Sequence, residues 1–285
     1  MIALYFWADS LVCGCPGNTN CLGALGGFDF LFFRLTGIHF QIVMEKANES
    51  TVVEFPIDIA AVAFDLDGTL ADTLPDLHTS ARLTMDELGL PQVDRDTVRD
   101  YIGQGIDRLV KRLLTGTPHG EPDPDAFKHA GAIFRQHYRR VLTNESRLFP
   151  GTEETLKGLR GQGVKLACVT NKTEAFTRPL LQGLGVLGLF DEIVCGDTLE
   201  RKKPDPLPLI YCAERFGIAP QRLLMVGDSQ TDTLCARAAG CPVICVPFGY
   251  RSGMQLHELD CDAIVPGVSS LFELIRTPSD DFRKT

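Results

Sequence analysis

The chain has 285 residues, 44% of them hydrophobic, enough to fill the core of one large domain or two modest ones. A formal charge of −9 and a pI of about 5.2 exclude the basic footprint of a nucleic-acid or anionic-membrane binder. An anionic substrate would therefore need a bound metal or a few placed cations. The ten cysteines form no CxxC pair and the six histidines no cluster, which argues against zinc and for reduced thiols in a cytoplasmic protein.

Residues 1–43 carry only three formal charges, Asp9, Asp29 and Arg34. They have no basic segment ahead of an apolar core, and no apolar run long enough to span a bilayer. Composition changes at Met44-Glu45-Lys46, which reads as an ordinary soluble start. The expectation is that 1–43 is a non-native or disordered extension; an interfacial anchor is the alternative.

The apolar run Ile59–Phe64 predicts a buried parallel strand. It ends in Asp65-Leu66-Asp67-Gly68-Thr69, two carboxylates around one Leu before a glycine turn. Segment 72–149 then predicts helices and no strand. Leu77, Ala81, Met85 and Leu88 recur at helical spacing ahead of Gly89, and further helices are expected at 95–101, 105–115 and 123–142. From Phe149 onward helices and strands alternate. Strands are expected at 165–170, 192–194, 223–227, 243–246 and 263–265, with helices at 152–161, 173–184, 205–216, 230–239 and 269–276. This is the pattern of a doubly wound parallel α/β sheet. The domain reading is a catalytic core of 44–71 and 150–276, a helical cap at 72–149, and a flexible tail at 277–285.

In such a sheet, ligands bind beyond the carboxyl ends of the strands. Thr170-Asn171-Lys172 follows the second core strand, Arg201-Lys202-Lys203-Pro204 precedes the fourth, and Gly227-Asp228-Ser229-Gln230-Thr231-Asp232 follows it. Each alone is an adequate turn or helix cap. Together they supply a nucleophile, an acid/base, a hydroxyl, a fixed cation and oxygen ligands for Mg²⁺.

These four motifs, in this order, resemble those of haloacid dehalogenase superfamily phosphatases over about residues 57–276, with 72–149 at the position of the superfamily's α-helical cap. Within the superfamily the chain is most similar to the phosphoglycolate phosphatases, through Tyr101–Val110 and Phe248-Gly249-Tyr250. Arg251 departs from the Asn often found there. The resemblance implies that Asp65 attacks phosphorus, that Asp67 is the acid/base, and that Lys203 holds charge beside them. It assigns Mg²⁺ to Asp65, Asp228 and the Asp67 backbone carbonyl. Thr170, with Thr69, Asn171 and the cap turn Gly103-Gln104-Gly105, would contact substrate, and Ser229 and Asp232 would support. A carboxylate 4 Å from a phosphate dianion faces roughly 8 kcal/mol of repulsion at an effective dielectric near 20, so cations are required.

The function expected is hydrolysis of a small phosphorylated metabolite, 2-phosphoglycolate first, by a monomer or homodimer that binds neither nucleic acid nor membrane. The alternatives are a phosphatase for a sugar phosphate, nucleotide or pyrophosphate, a phosphosugar mutase, or a catalytically dead binding module, which should have lost Asp65, Asp67 or Asp228. Arg108 is a candidate cap cation for a carboxylate-bearing leaving group, the alternative being a place on a solvated helix face.

Overall fold

A computed structural model describes residues 53–277 and, nearer the N-terminus, three strand backbones, β1 (Leu22–Leu25), β2 (Phe28–Leu35) and β3 (Ile38–Met44), paired antiparallel in that order. Most of the stretch read as an extension lies outside the described residues, as do 278–285 of the tail. Residues 1–52 and 53–285 form separate units, and everything below concerns the second.

Its short strand β4 (Ile57–Asp58) leads into β5 (Ala61–Phe64), wholly buried as its unbroken apolar run requires. A tight turn follows, in which the N–H groups of Leu70 and Ala71 both donate to the Leu66 carbonyl. Then come β6 (Ala71–Asp72) and four helices, α1 (Leu74–Glu87), α2 (Arg95–Tyr101), α3 (Ile106–Thr115) and α4 (Pro124–Val141). The chain returns through β7 (Arg147–Leu148), which pairs antiparallel with β6. These two-residue strands were not foreseen in 72–149; they are too short to carry a period. Helix α1 packs on α4 through the stripes that set their spacing, and Ala81, Met85, Ala130, Phe134 and Tyr138 are buried.

The alternating half runs α5 (Thr152–Gly161), β8 (Lys165–Val169), α6 (Glu174–Gly183), β9 (Glu192–Val194), α7 (Leu207–Phe216), β10 (Leu223–Gly227), α8 (Gln230–Ala239), β11 (Val243–Cys245) and β12 (Ala263–Ile264). Where one helix was expected over 269–276, the structure has a 3₁₀ turn, a single α turn, α9 (Leu271–Leu274), and a strand, β13 (Ile275–Arg276). The last pairs with β4, so edge pairing overrides the local helical pattern. The six-stranded sheet has the order β12-β11-β10-β5-β8-β9, and every pair within it is parallel. From β5 the chain first winds outward through β8 and β9, then returns to β10 on the other side. The switch in strand order therefore lies at β5, flanked by β8 and β10, and a crevice opens there at the carboxyl ends. Among the described residues no helix is long and apolar enough to cross a membrane. The cysteines from Cys168 to Cys261 are free thiols, all but Cys261 buried.

Candidate active site

All three central strands end in polar residues at that crevice. Asp65 and Asp67 follow β5, Thr170 follows β8, and Asp228 follows β10. Lys203 reaches in from the loop before α7, its ammonium 2.9 Å from Asp65 Oδ1 and 2.7 Å from Asp232 Oδ1. Burial works against that charge, but Asp232 and Asp65 outweigh it and hold Lys203 firmly protonated. Asp232 divides its oxygens: Oδ2 accepts the N–H groups of Asp228 and Ser229 and the Ser229 hydroxyl, capping α8 from within. Asp232 thus both caps α8 and pairs with the Lys203 ammonium.

Oxygens of Asp65, Asp228 and Asp232 lie within 4.8 Å of one another, all three residues buried. The Asp65 carboxyl is raised to about 6: burial is the largest cause, Lys203 opposes it, and Asp232 and Asp67 add to it. Asp228 is raised well above the carboxylate range by burial, with Asp232 and Asp65 adding to it. With all three acids ionised, they would outnumber the one ammonium by two negative charges, and the raised carboxyls of Asp65 and Asp228 reflect that uncompensated charge. Hard oxygens carrying that excess fit a divalent cation such as Mg²⁺.

Asp228 is held from two directions. Thr69 Oγ1 donates to Oδ1 at 2.6 Å and the Tyr250 N–H to Oδ2 at 2.5 Å. Thr69 is thus fully buried behind the acid, and the expected substrate contact gives way to a positioning one. A Cβ added at Gly249 would lie 2.2 Å from the Asp228 side chain, so the Phe-Gly-Tyr turn needs its glycine for this approach. The Tyr250 hydroxyl accepts the N–H groups of Thr73 and Leu74 and donates to Asp72, tying the same turn to the entrance of the helical insertion.

On the other side of the crevice, Lys172 was passed over in the sequence as part of a Thr-Asn turn. Its buried ammonium lies 2.7 and 2.9 Å from the two oxygens of Asp67, with the Tyr138 ring centroid at 5.0 Å. Burial opposes its charge, and Asp67 followed by Tyr138 more than restores it. Thr73 Oγ1 donates to Asp67 Oδ1 as well. The available signal was a lysine two residues past a strand-end threonine.

The insertion closes the crevice with the 102–105 turn. Asn171 Nδ2 donates to the carbonyls of Gly103 and Lys203, Lys202 Nζ to Gln104 O, and Ser252 Oγ to Ile102 O. Gly105 has φ +90°, and a Cβ there would sit 2.9 Å from the Asn171 carbonyl, so only glycine lets the turn approach this closely. Gly103, Gly105, Thr170 and Asn171 line the pocket, whereas Gln104 turns its side-chain oxygen to Arg112. Arg108 is no cation for the leaving group: it bonds Glu121 and the Pro118 carbonyl.

The chain belongs to the haloacid dehalogenase-like hydrolases, whose sequence pattern matches residues 62–246. A phosphoglycolate phosphatase from Nitrosospira multiformis is 50% identical over 227 residues, 80% of this chain and 100% of that protein. One from Thiobacillus denitrificans is 51% identical over 215 residues, 75% of this chain and 95% of its own length. The crystal structure of a predicted phosphoglycolate phosphatase from Haemophilus somnus 129pt superposes with a TM-score of 0.72 at 36% identity, covering 75% of this chain and 96% of that one. The chain is accordingly a phosphoric monoester hydrolase of the phosphoglycolate phosphatase-like type.

Proposed function

We propose that this enzyme hydrolyses 2-phosphoglycolate to glycolate and phosphate in the cytoplasm, with Mg²⁺, through an aspartyl-phosphate on Asp65. The observation that carries it is the meeting of Asp65, Asp67, Asp228 and Lys203 at the central strand ends, in a chain half identical to a phosphoglycolate phosphatase along that protein's whole length.

Asp65 Oδ attacks phosphorus as the bond to the glycolate oxygen breaks, and Asp67 gives that oxygen its proton. Asp67, now a carboxylate, takes a proton from the water that attacks the aspartyl-phosphate, and phosphate leaves with Asp65 restored. Lys203 holds Asp65 in place and balances charge, with Asp232 fixing the ammonium. Thr170 offers its hydroxyl to the phosphoryl group. Asp65, Asp228 and the Asp67 carbonyl would hold Mg²⁺, which when bound offsets the negative charge of phosphate and carboxylate. The 102–105 turn shuts water out and limits the leaving group to a small one.

Initial rates on a panel of phosphate monoesters test this. 2-Phosphoglycolate should exceed hexose phosphates and nucleotides in kcat/KM by at least about a hundredfold, and EDTA should remove the activity until Mg²⁺ is restored. A flat profile would remove the substrate, and full turnover in metal-free buffer the cofactor.

A further inference from the structure

Besides the glycines Gly103 and Gly105, the residues of the insertion that face the pocket, Leu77, Ile102, Ile106 and Leu109, have apolar side chains, and among the described residues lining the pocket Lys172 is the one cation. The basic residues near the turn are engaged elsewhere. Arg108 and Lys111 bond Glu121, Arg112 bonds the carbonyls of Tyr101 and Pro118, and Lys202 bonds the Gln104 carbonyl. Apart from the glycine backbone at Gly103 and Gly105, the lid brings no charged or polar side chain to the pocket, so a cation for the leaving group can come only from the core side.

We propose that Lys172 recognises the carboxylate of the leaving group, exchanging one of its contacts with Asp67 for it as substrate binds. This rests on the 2-phosphoglycolate reading above. An ammonium has three N–H groups; two of those on Lys172 go to the two oxygens of the single carboxylate of Asp67, and the Tyr138 hydroxyl stands beside it as a further partner. Asp67 must itself lie against the bridging oxygen to protonate it. In 2-phosphoglycolate the carboxylate carbon is two bonds from that oxygen, roughly 2.5 Å away. A carboxylate so placed falls within hydrogen-bond reach of an ammonium that already touches Asp67. The Tyr138 ring beneath Lys172, packed in turn on Phe134 and Phe176, keeps the lysine from swinging away. Lys172 is thus placed to tell an anionic leaving group from a neutral one of the same size.

The test compares kcat/KM for 2-phosphoglycolate and for ethylene glycol monophosphate, which carries CH₂OH in place of the carboxylate and leaves with similar basicity. Wild type, Lys172→Met, Lys172→Gln and Lys172→Arg are measured side by side with their melting curves, so that the result does not hang on one variant folding. Wild type should favour 2-phosphoglycolate. The preference should fall by at least about 30-fold in the Met and Gln variants, as expected for a lost hydrogen bond between charged groups, and be largely retained with Arg. Equal losses on both esters would overturn the proposal, leaving Lys172 a support for Asp67, and so would a preference that survives in the neutral variants. A wild type indifferent to the two esters overturns the substrate reading itself, an outcome separate from either of these.

Discussion

Asp65 shows at one residue how function and stability oppose each other. Its carboxyl binds a proton more tightly in the folded chain, at about 6, than at the ordinary 3.8. The penalty its ionised form places on folding is therefore full above about pH 6, shrinks as pH falls from there toward the ordinary value, and is gone below it, where both states are protonated. Asp65→Asn should abolish turnover and yet melt higher than the parent at neutral pH in metal-free buffer, with the two curves converging near pH 4. Melting temperatures across that range and single-turnover assays check both halves. Activity within tenfold of the parent would exclude Asp65 as nucleophile, and a lower melting point at neutral pH would mean that its pairing with Lys203 outweighs burial.

The two ends of the insertion are tied to each other through Asp76 as well as through β6 and β7. This buried acid in the first turn of α1 accepts the N–H groups of Glu145 and Ser146 and the Ser146 hydroxyl, at 3.0, 2.8 and 2.6 Å. It joins the outgoing and returning strands of the insertion across 70 residues of chain. Asp76→Ala would leave those donors buried without an acceptor. A loss of about 3 kcal/mol in urea denaturation is expected, with kcat in the folded fraction little changed because Asp76 touches none of the reacting groups. A stability change below about 0.5 kcal/mol, the range of ordinary surface substitutions, would show that water replaces the acid at no cost. Helix amphipathicity made α1 to α4 readable in the sequence; Asp76 was not, because one acid in a first helical turn looks like ordinary dipole compensation.

At the scale of the whole molecule, a relative aligned along its full length needs only 227 residues of this kind of sequence, 80% of the present chain. The chain beginning at Met44 should therefore match the full one in melting temperature and kcat, measured by calorimetry and steady-state rates. Early melting or aggregation would assign residues 1–43 to the fold. Charge belongs to the same scale: the chain carries a net −9, and among the described residues the buried cations, Lys172, Lys203 and Arg112, stand in or beside the crevice.

The sequence by itself determined the alternation of strands and helices, the helical insertion after the first core strand, and the acids, hydroxyl and lysine at the strand ends. Those are local features, written in hydrophobic period and in the polar residues that interrupt it. Which strands would be neighbours, and therefore which side chains would meet, was settled only when β5 took its place between β8 and β10. Lys172 meets Asp67 across 105 residues, Thr69 meets Asp228 across 159, and the Tyr250 hydroxyl takes the Thr73 N–H across 177. A motif states that a side chain stands at a strand end but not which way it points. Thr69 therefore proved to lie behind the acids, Gln104 to face Arg112, and Lys172 to enter the pocket, because packing chooses among directions that the local pattern leaves equal.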